Sequence, residues 1–250
     1  MLFFDNLPPL IRSRVTVRAI ILAAALLAAA PSQGVPGPVP VDEGWRQIWC
    51  VFGLDPALAE SVIWPEMQLY NGIRDFAEST ADYSSAVTGG SGFDFSIGVF
   101  QMKPSFVRKL ESAWMESGLH NFYNLSFDTA DTPSVRCGRI ERMRIPEWQV
   151  LYLGMFLRLL YHSYGSCNAS GERIRDGLDA LSKEEQVRLA ATAYNRGCTW
   201  TPAGQGNLDS LRLHAGAVSF PRVIIRTPST RQYSYASLAW EHYQTIADRP

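Results

Sequence analysis

The sequence has few charged residues and almost no excess of either sign. Only 19% of its 250 residues are charged, and 23 Lys and Arg stand against 24 Asp and Glu, which gives a formal net charge of −1. Domains that bind nucleic acid usually carry a clustered excess of Lys and Arg. The hydrophobic share, 46%, is too high for an intrinsically disordered protein. We therefore expect a folded protein without a nucleic-acid partner.

Cysteine and histidine are scarce as well, with four residues of each. The cysteines (Cys50, Cys137, Cys167 and Cys198) form no C-x-x-C pair, and the histidines show no spacing typical of metal ligands. We therefore expect no metal ion and no other cofactor. In an oxidising compartment, two disulfides are the natural use of four cysteines, with three pairings open. Four reduced, buried thiols are the alternative.

The apolar run near the N-terminus is short. Residues 19–30 are twelve consecutive apolar residues, whereas a transmembrane helix needs about 20. Arg12, Arg14 and Arg18 precede the run and small residues end it, a pattern typical of a cleaved export signal. We predict a signal peptide over residues 1–31 and a periplasmic or extracellular location. An uncleaved anchor that tethers the protein to a membrane is the alternative.

The remainder of the chain contains one linker and no internal repeat. Residues 32–44 are rich in proline and glycine, which indicates a linker without packed structure. Neither a second linker nor a repeat divides residues 45–250, so we predict a single domain there.

Local patterns predict that this domain is mainly α-helical. Asp55 followed by proline is typical of a helix start. By the same argument Pro65 predicts a second start, with Glu66 in the first turn. Residues 147–164 are apolar almost all round, which predicts a central buried helix.

Further patterns complete the fold prediction. Ser182 and Glu185 have the spacing of a capping box, which predicts that another helix begins there. Residues 233–247 predict a short last helix. A small irregular or β-hairpin segment is expected around residues 79–98, which are rich in Ser, Gly and Asp.

Three short segments stand out as candidates for chemistry. The first is I-W-P-E-M, which contains Glu66; the second is D-F-S-I-G-V-F-Q-M-K-P-S, which contains Ser96, Gln101 and Met102; the third is A-Y-N-R-G, which contains Tyr194 and Asn195. Singly, each has an ordinary structural interpretation, such as a surface charge, a turn or a helix end. Their order along the chain makes the combination informative.

Taken together, the three segments resemble the lytic transglycosylase and goose-type lysozyme superfamily over roughly residues 55–200. The sequence is also similar to a divergent group of secreted bacterial proteins with the patterns P-E-x-x-x-Y and D-F-S-I-G-x-F-Q-M-K-P-S-F. The resemblance implies a lysozyme-like fold and cleavage of the glycan strand of peptidoglycan. It implies that Glu66 is the general acid and that the substrate-binding residues are Ser96, Gln101, Met102, Tyr194 and Asn195.

The acid role makes a physical demand on Glu66. A general acid must keep its proton near neutral pH, which burial favours. A position in a first helical turn would oppose this, because the helix dipole there favours the ionised form. Desolvation is the larger effect, so we expect burial to dominate if the side chain faces inward. Glu60, which precedes a serine as in the family's Glu-Ser pair, is the reserve acid.

Three functions remain open at this point. In a lytic transglycosylase, Glu66 acts first as acid and then as base while the sugar's own 6-hydroxyl attacks, and we favour this reaction on the resemblance. An inverting hydrolase needs a second carboxylate about 6.5–9.5 Å away, for which Asp94 and Glu78 are the candidates. The third alternative is a non-catalytic lysozyme-like scaffold that binds glycan or another envelope protein.

Overall fold

The computed structural model describes residues 41–68, 80–87, 94–166, 177–196, 200, 206, 208–209, 222–224 and 231–247. Residues 222–224 and 231–233 are described by their backbone alone. The described residues fall into two compact units. The first unit comprises Leu54–Pro65 and the described part of Leu157–Pro250, and the second comprises the described parts of Asn6–Gly53 and Glu66–Phe156.

Predictions about the N-terminal leader fall outside these residues. The signal peptide at 1–31 and residues 32–40 of the linker are not among them. A helix begins at residue 43, so the last two residues of the predicted linker are helical. Asp42 caps this helix, because its side chain accepts from Trp45 N at 2.9 Å. Among the described helices, none has the length and apolar character needed to cross a membrane.

Most of the described residues are helical, which confirms the prediction of a mainly α-helical protein. In chain order the helices are α1 (Glu43–Val51), α2 (Pro56–Met67), α3 (Pro104–Glu116), α4 (Leu119–Tyr123), α5 (Pro133–Met143), α6 (Pro146–Tyr164), α7 (Lys183–Arg196) and α8 (Tyr235–Ile246). Two short strands, β1 (Arg222–Ile224) and β2 (Arg231–Tyr233), pair antiparallel with Val223 opposite Gln232. Residues 80–87 are also helical.

Several helices begin where their capping side chains predict. Asp55 Oδ1 accepts from Ala57 N at 2.9 Å and so caps α2. Ser182 and Glu185 form the predicted capping box at α7, because Glu185 N donates to Ser182 Oγ at 3.3 Å and Ser182 N donates to Glu185 Oε2 at 3.4 Å. The predicted central and last helices are confirmed as α6 and α8.

The prediction that Pro65 begins a helix is wrong. Pro65 lies inside α2, which continues to Met67. An internal proline removes one backbone hydrogen bond, but here it falls in the last turn of a helix in which Val62 and Ile63 are fully buried. Burial of that helix therefore outweighs the local preference of proline. Consequently Glu66 lies at the C-terminal end of a helix and not in a first turn.

Residues 80–87 are helical, not irregular or hairpin as predicted for the segment around 79–98. Asp82 and Ala86, which are four residues apart, are both buried, so this helix has one buried face. Ser84 Oγ donates to Thr80 O at 3.0 Å, which satisfies a hydroxyl that would otherwise favour a turn. A hairpin-like turn does occur, but it joins Ile97 to Met102.

In the first unit, one carboxylate connects three helices. Besides capping α2, Asp55 accepts through Oδ2 from Lys183 Nζ of α7 at 3.0 Å and from Tyr243 OH of α8 at 3.1 Å. Helices α7 and α8 also pack against each other. A second link between α2 and α8 is the hydrogen bond from Tyr235 OH to Val62 O at 2.9 Å.

We expect Asp55→Ala to lower the free energy of unfolding by about 1–2 kcal/mol, because it removes a helix cap together with the Tyr243 hydrogen bond. The half-exposed Lys183 pair adds little. Asp42→Ala is the matched control, since Asp42 is an exposed cap with the single Trp45 bond. Urea unfolding of both variants measures the difference. An equal loss in the two variants would contradict a connecting role for Asp55.

The core of the second unit is built on the first part of α6. The side chains from Val150 to Phe156 are fully buried, as expected for a helix that is apolar all round. Trp49 Nε1 donates to Val150 O at 3.1 Å. The Phe52 ring lies so close to Gly154 that a Cβ there would overlap it.

A buried ion network crosses this core. Glu111 of α3, which is 0% exposed, accepts from Arg139 Nε and Arg142 Nη2 of α5, both at 2.8 Å. Tyr152 OH of α6 donates to the same carboxylate at 2.7 Å. Burial, reinforced by the Glu111 charge, raises the pKa of Tyr152 well above its usual value, so the phenol keeps its proton. The network therefore joins three helices of the second unit through charge-assisted hydrogen bonds.

Candidate functional site

Glu66 is a buried carboxylate at the end of α2. Its side chain is 6% exposed, and the helix ends at the next residue, Met67, which is also buried. The last turn of a helix carries a partial negative charge, so the dipole opposes a carboxylate there. Removal from water acts in the same direction. This setting is the opposite of the first-turn position expected from Pro65, and it suits a group that must donate a proton.

The segment containing Gln101 and Met102 is a tight turn. Ile97 and Met102 form an antiparallel bridge, with Ile97 N donating to Met102 O at 2.7 Å and Met102 N donating to Ile97 O at 3.1 Å. Gln101 has a positive φ of 52°, which costs a residue other than glycine of order 1–3 kcal/mol. Its Nε2 donates to Gly98 O at 2.8 Å, which folds the side chain back over the turn.

Exposure differs among the residues of this turn. Phe100 and Met102 are buried, whereas Ser96 and Gln101 are half-buried. The Phe100 ring packs edge-on against Trp45, with 5.5 Å between the ring centroids. Ser96 and Gln101 are therefore the predicted binding residues of this turn with accessible polar side chains, and the Met102 side chain belongs to the core.

Asp94 caps a helix. It accepts from Ser105 N at 2.8 Å through Oδ1 and from Ser105 Oγ at 2.6 Å through Oδ2. Lys103, which occupies the cap position of α3, makes no side-chain cap bond, so Asp94 supplies the acceptor that the helix start needs. Each oxygen of this predicted second carboxylate thus accepts one hydrogen bond from α3. The other candidate, Glu78, lies outside the described residues.

Two residues that the sequence did not single out accept backbone hydrogen bonds from this segment. Gln149 of α6 is fully buried; its Oε1 accepts from Phe100 N at 2.8 Å, and its Nε2 donates to Met143 O. Asp82, which is also buried, accepts from Phe95 N at 3.1 Å. An amide directly before the apolar stretch that starts at Val150 is the signal that could have identified Gln149. Asp82 had no such signal, because its helix was not predicted.

Tyr194 and Asn195 lie in the last turn of α7, and both are half-buried. They belong to the first unit, whereas Glu66 and the turn at 97–102 belong to the second. The structure thus brings Ser96, Gln101 and Met102 together in one segment. Convergence of this segment with Glu66 and with Tyr194 stays a prediction.

Glu60, the reserve acid, is engaged in a buried pair. His242 Nε2 lies 3.1 Å from Glu60 Oε1, and both side chains are buried. The Trp64 ring stacks on the His242 ring, with centroids 3.8 Å apart and planes 5° from parallel. All three belong to the first unit. Glu60 therefore links α2 to α8, a role that its position explains without catalysis.

Comparison with protein-family models, with curated proteins and with solved structures found no match to this chain. These comparisons therefore add no support to the candidate site beyond the geometry described above. Within the described ranges, no group of three or more His, Cys, Asp or Glu side chains is placed to hold a metal ion. Cys50 is exposed and Cys137 half-buried, while Cys167 and Cys198 lie outside those ranges, so the disulfides stay a prediction.

Proposed function

We propose that this chain is an exported, lysozyme-like enzyme that cleaves the glycan strand of peptidoglycan, with Glu66 as its general acid. The observation that carries the proposal is the burial of Glu66, which is 6% exposed at the C-terminal end of an apolar helix. Such a setting disfavours the ionised form of a carboxyl group and so suits a proton donor. The resemblance of the three segments to transglycosylases supplies the substrate class.

In the proposed reaction one carboxyl group serves twice. Glu66 donates its proton to the glycosidic oxygen as the bond to the anomeric carbon breaks, so that the leaving sugar departs as an alcohol. The resulting carboxylate then takes the proton of the bound sugar's 6-hydroxyl while that oxygen attacks the anomeric carbon. The product is a 1,6-anhydro sugar, and Glu66 ends protonated, as it began. No water enters this reaction.

The role of Asp94 favours this one-carboxylate reaction over inversion. An inverting enzyme needs a base that takes a proton from water. A protonated Asp94 would accept more weakly from Ser105 N and Oγ and so would weaken the cap of α3. Gln101 spends one amide hydrogen on Gly98 O, so its Oε1 and second hydrogen can bind an acetamido group. Ser96, Tyr194 and Asn195 complete the proposed sugar-binding set.

The test is incubation of the purified protein with peptidoglycan, followed by mass analysis of the released fragments. We expect muropeptides that end in anhydro sugars. Reducing ends would instead identify a hydrolase, and would direct attention to a second carboxylate such as Glu78 or Asp94. Binding to peptidoglycan without either product would support the non-catalytic scaffold and would reject the enzyme.

A further inference from the structure

The amide of Gln149 bonds the turn at 97–102 to the central helix. The turn and the helix residue are 49 positions apart in sequence, yet Phe100 N donates to Gln149 Oε1 at 2.8 Å within the core. The nitrogen of the same amide donates to Met143 O, at the end of α5. Because Gln149 is fully buried, neither bond can be replaced by water without opening the core.

Gly98 fits this contact closely. A Cβ at Gly98 would overlap the amide of Gln149, and the residue has a positive φ of 75°. Both facts favour glycine at this position. The same Gly98 offers its carbonyl oxygen to the backbone N and to the side-chain Nε2 of Gln101. A chain of contacts therefore leads from Gln149 through Gly98 to Gln101.

We infer that Gln149 is a positioning residue for glycan binding, which rests on the proposed function. Gln101 has a strained backbone conformation, which persists only where the surrounding contacts hold it in place. Gln149 supplies that constraint by fixing the Phe100 amide and packing against Gly98. Loosening the turn would free Gln101 to leave the conformation proposed to bind a sugar, although Gln149 itself is not part of the proposed binding set.

The test compares Gln149→Met with Gln186→Met in a Glu66→Gln background, so that a bound glycan is not cut. Gln186 is the control: its side chain is 9% exposed, and its amide accepts from Tyr161 OH at 2.9 Å and donates to Leu181 O at 2.8 Å, but it belongs to the first unit. Calorimetric titration with a peptidoglycan tetrasaccharide measures the Kd. The hydrogen-exchange rate of the peptide covering 97–102 measures how readily the turn opens.

We expect Gln149→Met to raise the Kd and the exchange rate of the 97–102 peptide by about tenfold each, which corresponds to the loss of one to two buried hydrogen bonds. Gln186→Met should leave both unchanged while lowering the melting temperature by a similar amount. Gln149→Asn keeps an amide, but its shorter side chain cannot reach both Phe100 N and Met143 O, so its effects should fall between wild type and Gln149→Met. If Gln149→Met does not fold, the comparison of Gln149→Asn with Gln186→Asn decides.

Equal effects of the position-149 and position-186 variants on the Kd would overturn the inference, as would absence of tetrasaccharide binding by the Glu66→Gln protein. The proposed function is judged separately, by cleavage in the wild type. Cleavage with equal Kd values removes the positioning role and leaves the enzyme. Binding with the expected shift but no cleavage leaves the positioning role and removes the enzyme.

Discussion

Glu66→Gln is expected to lower the rate of glycan cleavage by about 10²–10⁴-fold, the usual contribution of a positioned proton donor. Glutamine has the size and shape of a protonated glutamic acid, but its amide cannot transfer a proton to the glycosidic oxygen. Because Gln has nearly the volume of the buried Glu66 side chain, the substitution should open no cavity. The decrease should appear in kcat.

Glu60→Gln provides a control from the same helix. Glu60 is also buried in α2, where its Oε1 lies 3.1 Å from His242 Nε2 of α8. This variant should retain most of the activity and melt at a lower temperature, since it weakens the link between α2 and α8. Full activity of Glu66→Gln together with loss of activity in Glu60→Gln would transfer the acid role to Glu60.

Glu111→Leu is expected to lower the free energy of unfolding by about 3–5 kcal/mol, the cost of leaving a buried charge without its partner. Arg139 is 3% exposed in the ion pair and would keep its charge in the core, and Tyr152 would lose the acceptor of its hydroxyl. Arg142, which also stacks over Phe127 and Trp148 at 5.6 Å, would lose its carboxylate as well. Denaturant unfolding followed by circular dichroism measures the change.

An exposed ion pair of similar length provides the comparison. Glu184 and Arg188 of α7 are joined at 2.7 Å, but their side chains are 48% and 35% exposed. Glu184→Leu should cost less than about 0.5 kcal/mol, because water replaces the partner. Adding Arg139→Met to Glu111→Leu should recover part of the lost stability, since the buried positive charge is then removed as well. A loss at Glu111 no larger than at Glu184 would contradict the proposed importance of burial.

Local rules account for much of what the sequence predicted correctly. Asp55, Ser182 and Glu185 cap helices through bonds to residues at most three positions away, so their patterns are visible in a short window. The apolar stretch of α6 was equally readable. The prediction at Pro65 is wrong because burial of the surrounding helix outweighs the local preference of proline for a helix start. A short sequence window does not show that burial.

Long-range polar contacts were not predicted, because the residues that make them are far apart in sequence. Glu111 and Arg139 are 28 positions apart, and Phe100 and Gln149 are 49. A partial signal was present: Val107, Leu110 and Trp114 form the buried face of α3, and Glu111 lies on that face. A charged residue on an apolar face predicts that a partner exists, although it does not say which.

Three side-chain contacts of the first unit join α2 and its cap to α8, and they limit the order in which the chain can fold. Helix α2 is synthesised before α8, and Asp55, Glu60 and Val62 have hydrogen-bond partners in α8 that lie 173 to 188 positions later. A growing polypeptide cannot complete these bonds while α8 is still inside the ribosome. The first unit therefore completes its packing only after translation of α8, at the slow rate that large sequence separations impose.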